Sequence, residues 1–105
     1  SCVQAGDFIF LAHHAGGQEK LEIVHQMHAA FESMKKTLES VDAGLDDLVQ
    51  GNLYLKDVKL FRQAADVFSE YFINGAPARM STTTDFVEDA CLCQIDGIAY
   101  KPKAK

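Results

Sequence analysis

The spacing of hydrophobic residues changes several times along the chain, and each change predicts a new element. A Gly6-Asp7 turn separates residues Cys2–Ala5 from residues Phe8–His13, which predicts a β-hairpin. The second strand is apolar on both faces, so we expect it to lie inside a sheet and to be covered. The Ala15-Gly16-Gly17 segment then ends the strand.

The middle of the chain has the spacing of amphipathic helices. Apolar residues recur every three or four positions from Gln18 to Val41, which predicts a long helix. Gln26 lies away from this stripe. A second helix follows Asp57, a residue type that caps helix N-termini, and stops before Asn74-Gly75-Ala76-Pro77, where glycine and proline cannot extend it.

The remaining apolar segments are predicted strands over Leu45–Leu55, Arg79–Phe86 and Cys91–Tyr100. The predicted order is therefore β-β-α-β-α-β-β. It indicates an α+β fold, with two helices packed on one face of a mixed β-sheet. The other sheet face has no cover from this chain, and the last strand is partly apolar on both sides. We therefore expect oligomerisation through the sheet.

Composition limits the class of protein. The chain has 105 residues, of which 48% are hydrophobic and 24% charged, as expected of one globular domain over residues 1–105. Its net charge of -5 disfavours electrostatic binding of nucleic acid. No apolar run approaches the ~18–20 residues that cross a bilayer, so no membrane association is expected. The low, odd cysteine count of 3 favours a reducing, cytoplasmic location.

The two ends of the chain carry separate expectations. The first residues are strand-forming with no lead-in, as in a chain that begins part-way into a strand pair or one that lacks an N-terminal segment. The tail Lys101–Lys105 is polar, and we expect it to fray.

Two pairs of residues have spacings that sometimes bind metals. His25 and His28 lie three apart on the first predicted helix, but nothing nearby completes a ligand set, so surface histidines are the better interpretation and no metal is expected. Cys91 and Cys93 share a strand face at a separation too long for a disulfide. Buried small hydrophobes are their favoured role. The chain also lacks phosphate-loop and dinucleotide motifs, so no cofactor is expected.

Short motifs spread over nearly the whole chain resemble the RidA (YjgF) family, also called the L-PSP endoribonuclease family. They are Gly6–Leu11, Leu45–Val49, Tyr54–Asp57, Ala76–Arg79 and Ile95–Ala99. The resemblance implies a chorismate-mutase-like fold. It also implies a homotrimer whose sheets form a central barrel, with three clefts between subunits. RidA-type members hydrolyse enamines and imines, such as 2-iminopropanoate, to 2-keto acids and ammonia.

The resemblance also implies site residues. Arg79 matches the arginine that binds the substrate carboxylate, although an ordinary salt bridge is the alternative for an isolated arginine. Gln94 stands at the position of the family's water-activating glutamate, and Ser81 where many members have a cysteine. We predict that Gln94 and Ser81 are catalytic. The predicted substrate-binding residues are Arg79, His14, Asn52 and Asp96.

Two functions remain open from the sequence. One is hydrolytic deamination of small imino acids, with Asp96 as a possible substitute base because glutamine cannot accept a proton. The other is a non-catalytic trimer that binds a small carboxylate or metabolite. The family label also suggests RNA cleavage, which the acidic charge disfavours.

Overall fold

The computed structural model describes residues 1–102. Its elements follow the predicted order, and short 3₁₀ turns at Leu45–Asp47 and Val58–Leu60 precede the third strand and the second helix. The strands and helices are β1 (Cys2–Ala5), β2 (Phe8–His14), α1 (Ile23–Glu39), β3 (Leu48–Leu55), α2 (Phe61–Glu70), β4 (Ala78–Thr83) and β5 (Cys93–Tyr100).

The five strands form one sheet in the order β1-β2-β5-β3-β4. Only β3 and β4 pair in parallel, and α2 connects them, while the other neighbours are antiparallel. The sheet is therefore mixed, and the predicted α+β fold with two helices on a mixed sheet is confirmed. None of the helices within residues 1–102 is long and apolar enough to span a membrane.

The helix-facing side of the sheet carries the core. Alternate residues of the inner strands point towards the helices and are buried, among them Ile9, Leu53 and Ile95. Phe31 of α1 is fully buried above them. Its ring stacks on Tyr71 at 4.4 Å between centroids and contacts two further aromatic rings edge-on, so the helices are joined by close aromatic packing.

The opposite side of the sheet, which we call the outer face, has no covering element within residues 1–102. Phe8, Phe10 and Tyr100 are 42%, 45% and 43% exposed there. The Phe8 ring lies 6.5 Å from Phe10 and 5.2 Å from Tyr100. β2 does lie between two other strands, as predicted, but residues 1–102 cover only one of its faces.

The first helix begins later than predicted, at Ile23 rather than Gln18. Gly17 adopts a φ of +65°, which starts a turn rather than a helix. Leu21 is 74% exposed and so is not part of the buried stripe. The assignment of Gln26 to the polar side was also wrong, because this residue is 1% exposed.

The buried side chain of Gln26 connects α1 with the segment that precedes β5. Its Nε2 donates to the carbonyls of Lys20 and Ala90 at 2.8 and 2.9 Å, and its Oε1 accepts from Leu92 N at 2.8 Å. Burial of an amide is tolerated when its donors and acceptors are satisfied in this way.

Other boundaries are also shorter than predicted. The strand predicted from Leu45 opens with the 3₁₀ turn, and α2 ends at Glu70. β4 ends at Thr83 rather than Phe86, because β3 ends at Leu55 and only Thr84 N still bonds to it. Lys101 N donates to Asp7 O at 2.8 Å, so the expected fraying does not include Lys101, and residues 103–105 lie outside the described part.

Candidate functional site

Arg79 lies on the edge strand β4, on the helix-facing side. It is level with Gly51 of β3, which is buried on the helix-facing side together with Leu53 and Leu55. Its guanidinium carbon sits 5.0 Å from the Phe68 ring centre and 5.6 Å from that of Phe61. Cation–π contact of this kind orients a guanidinium without neutralising it. Within residues 1–102 no carboxylate lies within ion-pair distance of Arg79.

Ser81 shares this side of β4 with Arg79, as strand alternation requires. Its hydroxyl is buried and has no hydrogen-bond partner among the described residues. A cavity of about 350 Å³ lies beside it, lined also by Leu55, Val58 and Phe61. Arg79 and Ser81 therefore form one group, which we call the edge group.

A second group, which we call the outer cluster, lies on the outer face of β3 and β5. Asn52 is level with Asp96, and Tyr54 is level with Gln94. The Asp96 carboxylate accepts hydrogen bonds from Asn52 Nδ2 at 2.8 Å and from Tyr54 Oη at 2.9 Å. The bond to Asp96, together with burial, raises the pKa of Tyr54 above its usual value. Tyr54 therefore remains the donor at neutral pH.

The outer cluster lines a cavity of about 350 Å³. His13, Tyr54, Gln94 and Asp96 form its sheet side, and residues 84–87 form the rest of its wall. The Gln94 amide nitrogen lies 3.8 Å from the sulfur of Cys91, a long contact that orients the side chain along the strand. The cavity thus offers a carboxylate, an amide, a phenol and an imidazole to one small ligand.

The edge group and the outer cluster lie on opposite faces of the same sheet. The fold brings together Asn52, Gln94 and Asp96 on one face. It brings Arg79 together with Ser81 on the other, and the backbone of the sheet separates the two sets. Within one copy, the side chains of Arg79 and Gln94 therefore point to opposite sides of the sheet.

His14 belongs to neither group. It is 5% exposed, its Nδ1 donates to the Ala12 carbonyl at 2.7 Å, and its Nε2 lies 2.9 Å from Thr37 Oγ1. Burial lowers the pKa of His14 below its usual value. An irregularity in the β2–β5 register between Leu11 and His14 leaves His13 exposed instead, at the outer cavity.

Comparison with known proteins identifies the family. The profile of the family described as Endoribonuclease L-PSP matches residues 1–101. The chain belongs to this family. A RutC family protein from Pyrococcus abyssi is 33% identical over an alignment that covers 94% of this chain and 83% of the relative.

Solved structures agree with this assignment. A yjgF family protein from Streptococcus pyogenes is 32% identical, with a TM-score of 0.88 over 97% of this chain and 86% of that one. RidA from an Antarctic Psychrobacter is 22% identical, with a TM-score of 0.86 over 94% and 85% of the two chains, which shows a shared fold. The RidA/YjgF resemblance read from the sequence is confirmed.

Two residues at the outer cavity of this L-PSP family chain were not predicted to be site residues. Tyr54 lies two residues after Asn52, so alternation alone places both on one face. Their contact with Asp96 depends on the β3–β5 register, which the sequence does not reveal. His13 was missed because the irregular register near Leu11 exchanges the outward positions of the two histidines.

His25 and His28 have hydrogen-bond partners of their own, and Cys91 and Cys93 are buried. His25 Nε2 lies 2.6 Å from Glu19 Oε2, and His28 Nδ1 lies 2.8 Å from Tyr71 Oη. No three potential metal ligands converge within residues 1–102. Cys91 and Cys93 are buried and free, as predicted for small hydrophobes. Burial raises the pKa of Cys93 to about 12.

Proposed function

We propose that this chain is a RidA-like homotrimer that hydrolyses small enamines and imines, turning 2-imino acids into 2-keto acids and ammonia. The reaction takes place in a cleft between two copies. The observation that carries the proposal is the guanidinium of Arg79, oriented by two aromatic rings and unpaired with any carboxylate of the described residues.

An unpaired, oriented guanidinium is suited to a carboxylate ligand. Its planar fork offers two parallel N–H donors that match the two carboxylate oxygens. Hydrogen bonds to charged groups contribute about 1.5–3 kcal/mol each. Because Phe61 and Phe68 already hold Arg79 in position, little side-chain entropy is lost when the ligand binds.

The separation of the two groups supports a site shared between copies. If β4 of one copy packs beside the outer face of the next, Arg79 of the first approaches Gln94 of the second. The exposed aromatic surface around Phe8, Phe10 and Tyr100 favours such packing, since apolar patches of this kind mark interfaces. Head-to-tail contacts of this type close into a ring when the rotation from one copy to the next completes a circle, as it does in a trimer.

In this site each residue has a distinct task. Arg79 binds the carboxylate, the Ser81 backbone hydrogen-bonds the substrate beside it, and the Gln94 amide positions the attacking water. The water oxygen adds to the C=N carbon, and the C–N bond then breaks to release ammonia. This cytoplasmic role needs no cofactor or metal.

The test is an activity assay with 2-iminopropanoate generated in situ by an amino acid oxidase. We expect the protein to accelerate loss of the imine, and Arg79→Ala to abolish the acceleration. Arg62→Ala is the matched control, because Arg62 is an exposed arginine on α2. A native rate equal to buffer alone would refute the deaminase proposal.

The second candidate function is binding of a small carboxylate without turnover. Gln94 favours it, since an amide at this position cannot accept a proton from water. In that case the native chain binds 2-keto acids through Arg79 without hydrolysing imines, and Gln94→Glu creates activity. Calorimetric titration with pyruvate, beside the imine assay, separates the two functions.

A further inference from the structure

The outer cluster contains a carboxylate that is positioned more firmly than any other group in its cavity. Asp96 is half-buried, and each of its two oxygens accepts one hydrogen bond, from Asn52 and from Tyr54. A carboxylate has about four lone-pair sites. Each Asp96 oxygen therefore keeps acceptor capacity, while its orientation is fixed from both sides.

The neighbourhood of Asp96 suits contact with a bound water. Gln94 lies two residues earlier on the same strand face. Its Cα atom is roughly 6.5–7 Å from that of Asp96, at ~3.3 Å per residue. Both side chains line the same cavity of about 350 Å³. A water bound in this cavity between the two side chains would contact both the Gln94 amide and the Asp96 carboxylate.

We propose that Asp96, held by Asn52 and Tyr54, is the general base that takes a proton from the attacking water. This inference rests on the proposed function and deepens it, because it supplies the proton acceptor that Gln94 is not. Gln94 then only positions the water, and Tyr54 and Asn52 are positioning residues for Asp96.

The proton balance closes without a further reactant. The water oxygen forms a bond to the iminium carbon, the C=N π electrons move to nitrogen, and one water proton moves to Asp96. Asp96 returns this proton to the nitrogen. The C–N bond breaks with its electron pair leaving on ammonia, the remaining hydroxyl becomes the keto group, and its proton ends on the ammonia as ammonium.

The other titratable groups around this cavity are His13 of β2, Tyr54 of β3 and Asp85 beyond β4. Tyr54 keeps its proton, since hydrogen bonding to Asp96 raises the pKa of its phenol. Asp85 is exposed, and no described residue hydrogen-bonds its carboxylate. Because Asp85 lines the cavity, the matched control is instead Asp66, an exposed carboxylate on α2 that lines neither the outer cavity nor the cavity beside Ser81.

The experiment compares kcat and KM for 2-iminopropanoate in four proteins: native, Asp96→Asn, Asp66→Asn and the double variant Gln94→Glu/Asp96→Asn. Loss of a general base lowers kcat about 10²–10⁴-fold, so we expect this loss in Asp96→Asn with KM little changed. Asp66→Asn should match the native protein. The double variant moves the carboxylate to position 94 and should recover activity, which also shows that the substituted cavity still folds.

The pH profile adds a readout that a purely structural role would not change. The native kcat should fall on the acid side as the carboxylate takes up a proton, and this limb should vanish in Asp96→Asn and return in the double variant. If the native protein is active and depends on Arg79 while Asp96→Asn keeps its rate and pH profile, this inference is overturned and the proposed function stands. An inactive native protein overturns both.

Discussion

The two faces of the sheet are built from the same strands but are completed in different ways. Phe31 and Phe10 are the same residue type, yet Phe31 is 0% exposed above the helix-facing side and Phe10 is 45% exposed on the outer face. The helix-facing side is closed by α1 and α2 of the same chain. The outer face has aromatic residues and the polar outer cluster with no cover within residues 1–102.

This difference indicates which parts of the molecule depend on other copies. The core needs nothing outside the chain, so its integrity determines the stability of the fold. The outer face and the edge group lie where a neighbouring copy contacts them in the proposed trimer. Stability and activity should therefore respond to different substitutions.

The largest expected effect is on assembly. Phe10→Lys places a charge in the proposed interface, where an unpaired ammonium is strongly disfavoured, so we expect complete conversion to single chains. Sedimentation velocity measures this. Ile73→Lys, at a residue 84% exposed beyond α2, should leave the assembly intact. Equal sizes for the native and Phe10→Lys proteins would show that the outer face is not the interface.

The next effect is on the core. Phe31→Ala removes the ring that packs against Phe68, Tyr71 and Phe72, so we expect the free energy of unfolding to fall by about 3–5 kcal/mol. Urea denaturation at several protein concentrations measures it. Phe10→Ala is the control, and its effect should depend on protein concentration, because it acts through association. If Phe10→Ala lowered the free energy of unfolding as much as Phe31→Ala, and equally at all protein concentrations, the outer face would be part of the single-chain core and not an interface.

A smaller loss is expected at the polar contact between α1 and β5. Gln26→Leu leaves the Lys20 and Ala90 carbonyls and the Leu92 N–H without their partner. Unsatisfied buried groups cost about 1–3 kcal/mol, so we expect a loss in that range by urea denaturation. Gln63→Leu, an exposed glutamine on α2, should change little. A neutral Gln26→Leu would mean that water replaces the amide.

The smallest effect is the pH dependence from His14. Burial lowers its pKa in the folded chain, while the unfolded chain takes up the proton near pH 6.5. The contribution of neutral His14 to stability is therefore complete above that pH and is lost as the pH falls below it, by at most about 1.4 kcal/mol per pH unit. Between pH 7.5 and 5.5 the free energy of unfolding of His14→Gln should fall less than that of the native protein, as measured by urea denaturation.

The control for this prediction is His13→Gln, because His13 is the exposed neighbour of His14. It should keep the native pH dependence. If both variants behave alike, the pH dependence arises elsewhere.

The element types and their order were predictable because apolar spacing reports which side of each element is buried. The start of α1 was not predictable. Leu21 fits the three-to-four-residue spacing of apolar residues in the helix, although Gly17 begins a turn. Gln26 looked like a solvent-facing residue because its partner Ala90 is 64 residues away, and no local pattern reveals a contact at that distance.

The candidate site was predictable only within each strand. Alternation correctly pairs Arg79 with Ser81 and Gln94 with Asp96. The face that each pair occupies depends on how β4 and β5 align with β3, and this register is set by tertiary packing. The sequence therefore could not show that the two pairs point to opposite sides.

The most direct test of a site shared between copies is complementation between two inactive variants. Arg79→Ala removes the edge group, and Gln94→Leu/Asp96→Asn removes the outer cluster. The two proteins are unfolded together, mixed in equal amounts and refolded. In randomly mixed rings about one quarter of the clefts pair an intact Arg79 with an intact outer cluster from the neighbouring copy. We predict recovery of about a quarter of the native imine hydrolysis, and a mixture no more active than its two parents would contradict the shared site.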